Sequence, residues 1–385
     1  MISQNHLTLE KKMKVYQITL AAFLSFWIIS AFAQNNTAGK TKIYASPAQK
    51  SIRTIAGKKI STKKLDQVIK NAMKSAGVPG LSIAIINDKQ VVYHRAFGVT
   101  NVDTKAVVDQ QTMFEAASLS KPLFAYFAMR MVEKGILDLD KPLHQYLPHP
   151  AIDSASKPDY QLITPRMVLA HTTGFPNWSN GKIIKLAHKP GSGFSYSGEA
   201  YQYLTAVIGT QLKVGWRKRL DSVFQKEVAK PLQLQNSFFT WNKYTAEHKA
   251  TGHSKGKITN AAHQGKSFGA GYSLHTEAQD YAKLLIEMMD SKYLSKASVN
   301  AMLKEQNKFP EKHKIRKTGQ TGWGLGFARK PTPNGIRYLH TGNNHDFQSY
   351  CCFYKDKKYG LVLFINSDKL EAFYDLLGKF LGDEF

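Results

Sequence analysis

The chain has 385 residues, 43% hydrophobic and 11% aromatic, which is enough for a sizeable packed core and too apolar for a disordered chain. A formal net charge of +25 favours anionic surfaces, but the basic residues are scattered and carry no zinc-finger, helix-turn-helix or RNP signature, which argues against a nucleic-acid partner. The two cysteines are neighbours, Cys351 and Cys352, which suits free thiols on successive faces of a strand rather than a disulfide framework or metal site.

The first 33 residues read as a signal peptide. Lys11, Lys12 and Lys14 precede a largely apolar Val15–Phe32 run, and Ala31-Phe32-Ala33 supplies a cleavage site before Gln34. The expectation is an exported protein, periplasmic or secreted, with no stable membrane span after cleavage; an uncleaved anchor is the competing reading. Residues 34–60 are polar, lack periodicity and read as a linker to one domain over 61–385.

From there the pattern is regular. Ser61 or Thr62 caps a helix with Leu65, Val68, Ile69 and Met73 on one face and Gly77 as its stop. Residues 80–86 and 90–97 around Asn87-Asp88-Lys89 predict a hairpin. Helices are expected over 119–134, 165–170, 199–212, 217–228, 277–289 and 296–305, strands over 322–329, 336–340, 348–354 and 360–365, and a last helix over 372–381. The expected fold is α+β: an antiparallel sheet from the N- and C-terminal segments, flanked by helices, with an inserted all-helical lobe over about 125–290.

The chemistry concentrates in Phe114-Glu-Ala-Ala-Ser118-Leu-Ser120-Lys121-Pro-Leu-Phe124. Ser118 and Lys121 are three apart and share one helix face. A serine hydroxyl is a weak nucleophile until a base takes its proton, and a lysine whose pKa is lowered by burial can serve. Ser-x-x-Lys recurs at Ser61/Lys64, Ser154/Lys157, Ser179/Lys182 and Ser254/Lys257, but only the Ser118 copy opens an apolar helix. Its plain alternative is a helix N-cap. Tyr196, in the loop before a helix and after Gly191 and Gly193, can relay a proton, or can be an ordinary half-buried aromatic. Tyr338-Leu-His340-Thr341-Gly342-Asn343 ends a strand where backbone N–H groups can face a carbonyl, or is a simple strand end.

Together these segments resemble the serine β-lactamase and penicillin-binding-protein superfamily, in the branch of class C β-lactamases, DD-peptidases, D-aminopeptidases and esterases. The Ser-x-x-Lys, Tyr-x-Asn and Lys-Thr-Gly or His-x-Gly stations appear in order as Ser118–Lys121, Tyr196-Ser-Gly198 and His340-Thr-Gly342. The flanks Leu137–Leu143, His171-Thr-Thr-Gly174 and Gly269–Asp280 are similar as well. The resemblance implies Ser118 as nucleophile with Lys121 and Tyr196 as base and proton relay. It further implies His340 and Thr341 orienting the substrate beside Gly342, and an oxyanion hole from the N–H groups of Ser118 and Asn343. It implies an acyl-enzyme with no cofactor and no metal, acting on a small or peptide-like acyl substrate, cell-wall material included. Gly198 stands where the lactamases carry an asparagine, and His340 where they carry a lysine. Both departures weaken the case for efficient β-lactam hydrolysis and suit an esterase, a D-peptidase or carboxypeptidase, or a member with another substrate; ester turnover is expected above β-lactam turnover.

Gly252-His-Ser254-Lys-Gly256 fits a nucleophile elbow but lacks the apolar strand and following helix that motif needs. His171 is expected to hold its loop by hydrogen bonds, and His345 to lie on a surface loop. The rival function class is a non-catalytic relative that binds envelope polymers through its basic surface.

Overall fold

The computed structural model describes residues 49–259 and 264–382; the expected leader and most of the expected linker lie outside them. Eight strands form one antiparallel sheet in the order Gln90–Gly98, Gly80–Asn87, Tyr359–Ile365, Gln348–Tyr354, Gly335–Asn343, Ala328–Thr332, Gly322–Trp323 and Asn307–Lys308. The N-terminal hairpin joins the C-terminal strands where Gly80–Asn87 pairs with Tyr359–Ile365, in register from Leu81 opposite Ile365 to Asn87 opposite Tyr359. The α+β architecture with a sheet drawn from both ends of the chain is therefore present. Asp88 and Lys89 are both left-handed, with φ of 51° and 62°, which gives a two-residue turn whose twist matches the strands.

Strand alternation sends neighbouring side chains to opposite faces. Leu81, Ile83 and Ile85 face one core with the helices Thr62–Ala76 and Leu370–Leu381; Ala84 and Ile86 face the other, with Ala278–Asp290 and Ser120–Glu133. Cys351 and Cys352 divide the same way, one buried in each core, and neither is in a disulfide. Ser120–Glu133 is buried on nearly every side, as expected of a helix apolar around its circumference. Ser61 caps Thr62–Ala76 by accepting from the Lys64 N–H, so this copy of the Ser-x-x-Lys spacing is an N-cap.

Three expectations need correction. Residues 51–60 of the expected linker are structured: Ser51–Arg53 and Lys59–Ser61 form a small ladder with Ile52 opposite Ile60, and Ile52, Ile55 and Ile60 are buried in one core with the terminal helices. Single apolar residues in three-residue strands gave too short a pattern to read. The expected strand over 322–329 is a tight hairpin, Gly322–Trp323 against Ala328–Thr332. Gly326 has φ +96°, and a Cβ there would lie 2.8 Å from Ala125 Cβ, so the chain turns back against the buried helix. The inserted region is not all helical, since Phe114–Glu115 pairs with His275–Thr276 and His253–Ser254 with Lys257–Ile258. The second ladder places Ser254 in a hairpin, where its hydroxyl donates to Asp368, not in an elbow.

No helix among the described residues is long and apolar enough to cross a membrane.

Candidate active site

Ser118 lies in the single 3₁₀ turn Ala117–Leu119 that leads into Ser120–Glu133. Ala117 has φ +50°, a left-handed conformation that costs a non-glycine residue energy and persists only where neighbours enforce it. They do. Ser349 Oγ donates to the Ala116 carbonyl at 2.7 Å, Ser120 Oγ to the Ala117 carbonyl at 2.6 Å, and Tyr281 to the Leu119 carbonyl at 2.8 Å. The Ala116 N–H donates to the Leu274 carbonyl at 2.8 Å. The strand Gly335–Asn343 closes on this turn at Gly342, where a Cβ would overlap the Ala116 carbonyl and Ser349 Oγ.

The Lys121 side chain is fully buried. Its Nζ donates to Ser118 Oγ at 3.1 Å and to the Gly271 carbonyl at 2.8 Å. Burial lowers its pKa from 10.5 to about 7, so a large fraction is uncharged at neutral pH. The amine also stands 4.6 Å from the Tyr196 ring centroid and 5.8 Å from that of Tyr201.

Tyr196 is close enough for the Ser118 hydroxyl to act as its hydrogen-bond partner. Burial raises the phenol's pKa well above 10, only partly offset by Ser118, so the phenol stays protonated. His171 brackets this tyrosine. Its carbonyl accepts from the Ser195 N–H at 2.8 Å, its Nδ1 accepts from the Ser197 N–H at 3.1 Å, and its ring lies 4.4 Å from that of Tyr196. Burial, with Lys121 and His340 nearby, pushes His171 well below the usual imidazole range and keeps it neutral. The loop-holding role expected of His171 is present.

His340 pairs Nδ1 with the Thr341 carbonyl at 2.8 Å; a carbonyl only accepts, so Nδ1 carries the proton. Burial and Lys121 lower its pKa to about 3, so it brings no positive charge to the cleft at neutral pH. A cavity of about 340 Å³ opens over Ser118, Tyr196, His340, Thr341 and Asn343, walled by Ile315, Trp323 and Leu339. The seven residues singled out from the sequence, Ser118, Lys121, Tyr196, His340, Thr341, Gly342 and Asn343, thus gather in one place. His345 is exposed on a surface turn.

Sequence reasoning passed over the Gly271 carbonyl that anchors Lys121, and the Ile315 and Trp323 walls. It also passed over the buried ion pair behind the site: Lys249 Nζ lies 3.0 Å from Glu115, whose carboxylate accepts from Asn344 Nδ2 at 2.8 Å. Nothing in the spacing of Glu115 and Lys249 signals that pairing.

A serine hydroxyl and a buried amine at the start of a buried helix, with a phenol beside them and a glycine-backed strand end, form an arrangement that can be compared with known proteins. The Beta-lactamase family model matches residues 65–381. The chain belongs to the Beta-lactamase family. Members of this family are in general serine hydrolases. A β-lactamase of Providencia stuartii is 25% identical over 390 residues, covering 89% of this chain and 96% of its own. Protein flp of Staphylococcus aureus is 22% identical over 329 residues, covering 80% of this chain; the chain spans only 63% of that relative's length. The solved structure of EstCE1, a hydrolase with promiscuous acyltransferase activity, superposes with a TM-score of 0.69 at 21% identity, covering 83% of this chain and 97% of that one.

Proposed function

We propose that this member of the Beta-lactamase family is an exported serine hydrolase that cleaves an ester or amide through a Ser118 acyl-enzyme, with esters turned over faster than β-lactams. The observation that carries the reading is the buried Lys121 amine, held near pKa 7 at 3.1 Å from Ser118 Oγ. The hydrogen bond to the Gly271 carbonyl holds Nζ beside Ser118 Oγ, and on losing the proton it donates there the neutral amine can present its lone pair to the serine hydroxyl. Lys121 takes that proton as Oγ bonds to the substrate carbonyl carbon. The backbone N–H groups of Ser118 and Asn343 receive the oxyanion. The protonated Tyr196 phenol gives its proton to the leaving group as that bond breaks and is reprotonated from Lys121. Water then attacks the ester carbonyl, releasing the acid and returning the proton to Ser118.

The neutral His340 supports the preference for esters, because nothing at that position attracts a substrate carboxylate. The short side chains of Thr341 and Asn343 line the same cleft and suit substrate positioning. Export is supported by the Lys11–Ala33 pattern.

The test is intact mass after incubation with a fluorophosphonate, followed by rates on p-nitrophenyl esters and nitrocefin. A single adduct that vanishes in Ser118→Ala, with ester rates above nitrocefin rates, is the expected result. A folded wild type that takes no adduct returns the binding-protein reading, and fast nitrocefin turnover with inert esters overturns the substrate preference. N-terminal sequencing of the mature protein beginning at Gln34 tests export.

A further inference from the structure

The surroundings of Lys121 are lopsided. On one side lies the open cavity lined by Tyr196, Ile315 and Trp323. The other side is occupied by an indole. A Cβ built on Gly198 would overlap Cη2 and Cζ2 of Trp178 and stand 2.9 Å from its Cζ3. A Cβ on Gly271 would lie 3.1 Å from Trp178 Cη2 and 3.6 Å from Lys121 Nζ. The indole tip therefore lies between the start of the Gly198–Gln211 helix and the loop that anchors the amine.

This placement is enforced by the backbone around it. The Gly198 N–H donates to Asn177 Oδ1 at 3.0 Å, and the Glu199 N–H to the Asn177 carbonyl at 2.9 Å. The Ser179 N–H donates to the Glu199 carboxylate at 2.9 Å, and Ser197 Oγ to the Pro176 carbonyl at 2.7 Å. Residues 176–179 are thus pinned across the helix N-terminus, and the ring meets Tyr272 edge-on, with centroids 5.7 Å apart at 80°. Trp178 nevertheless keeps 39% of its surface exposed, an uncommon amount for an aromatic this firmly tethered.

The side of the cleft that each half of a substrate takes follows from proton transfer. Tyr196, the donor to the leaving group under the hydrolase reading, lines the open cavity, so the leaving group belongs there and the acyl group points towards Trp178. On that side the nearest atoms are the ring carbons of the indole tip and two glycines, with no side-chain donor or acceptor from positions 198 or 271. Resting on the proposed hydrolase function, we infer that Trp178 occupies the place of a side chain at position 198 and sets the acyl specificity, favouring apolar acyl chains and disfavouring those with an amide next to the scissile carbonyl. An amide set against that wall loses its hydrogen bonds to water and gains none, the kind of mismatch that discriminates strongly between near-isosteric substrates.

The experiment compares p-nitrophenyl pentanoate with its near-isostere p-nitrophenyl N-acetylglycinate, with fluorophosphonate labelling of Ser118 as the measure of an intact site. Wild type is expected to prefer the pentanoate in kcat/KM, and Trp178→Gly to shift the ratio at least tenfold towards the N-acetylglycinate; Trp178→Leu serves if the glycine variant does not fold. Gly198→Ala is expected to lower both Tm and labelling rate, and Trp178→Gly in the same chain to restore them. A labelled Trp178→Gly with an unmoved ratio overturns this proposal alone, as does a Gly198→Ala that behaves like wild type. A wild type that takes no label overturns the hydrolase reading together with it.

Discussion

Gly342 lies against Ala116 so closely that even one added carbon would overlap the Ala116 carbonyl, and its Cβ would also stand 3.1 Å from Ala117 Cβ. This contact fixes the spacing between the serine turn and the strand end carrying Thr341 and Asn343, so it sets the width of the site. Gly342→Ala is expected to force the two apart. Overpacking of this kind costs about 1–3 kcal/mol, and a displacement near 1 Å at reacting groups costs about 100-fold in rate. Labelling of Ser118 should slow by about that factor while circular dichroism stays native. Labelling at the wild-type rate would mean the strand end has no part in the oxyanion site.

Under the proposed hydrolase function, Lys121 ties activity to pH. Its working form is the neutral amine, and burial sets its pKa to about 7, so kcat/KM should rise through pH 7 and level off above it. His340, held near 3, adds no second limb in this range. A rate profile flat between pH 5.5 and 8.5 would contradict Lys121 as the base.

The same shift affects stability. The folded pKa is depressed relative to the unfolded 10.5, so the unfolded chain binds the extra proton between about pH 7 and 10.5 and stability rises with pH across that window. At pH 7 the penalty approaches its full size, roughly 4–5 kcal/mol from the shift. Lys121→Met removes it, at the loss of the bonds to Ser118 and Gly271. The expected outcome is a Tm several degrees above wild type with activity reduced at least about 100-fold. A Tm well below wild type would show that the two hydrogen bonds outweigh the buried amine.

How much of this was legible in the sequence depends on the range of the interaction. Ser118 and Lys121 are one helical turn apart, and the turn is flagged by the apolar run that follows it, so local periodicity was enough. Tyr196 and His340 required comparison of whole segments, because no local rule brings residues 78 and 222 positions away from Ser118 to the same cleft. Trp178 gave no signal at all. It lies in a Pro-Asn-Trp-Ser loop without periodicity, and only the missing side chain at Gly198 marks where its ring goes. Ile52 and Ile60 were lost for the opposite reason: each is the sole apolar residue of a three-residue strand, and its burial comes from the helices at the far ends of the domain.

Glu115 and Lys249 form a buried pair directly behind the serine turn, 1% and 6% exposed. Burial alone would raise the Glu115 pKa, but Lys249, His275 and Asn344 together bring it below the usual range, so the carboxylate is charged. Removing one partner leaves the other charge buried, at a cost of about 3–5 kcal/mol. Lys249→Met should therefore shift urea unfolding by that amount, and adding Glu115→Gln should recover much of it. Equal stability of the single and double variants would show that the pairing is not what holds this layer.

Under the proposed hydrolase function, His171 is a positioning residue that acts through Tyr196. Its Nδ1 and carbonyl accept the N–H groups of Ser197 and Ser195, on either side of the tyrosine, and its ring supports the phenol ring from 4.4 Å. His171→Ala leaves the buried Ser197 N–H unpaired, which costs about 1–3 kcal/mol, and lets the phenol drift. The His171 ring also packs edge-on against the Trp323 wall, centroids 5.2 Å apart, so kcat should fall about 10- to 100-fold with a smaller rise in KM. His171→Asn is the informative companion. Asparagine tolerates the left-handed backbone at this position, φ +58°, and its Oδ1 can accept from Ser197, so it should recover part of the lost kcat without restoring the ring contact. Identical losses in the alanine and asparagine variants would assign the whole effect to ring packing, and an unchanged kcat in both would remove His171 from any part in positioning Tyr196.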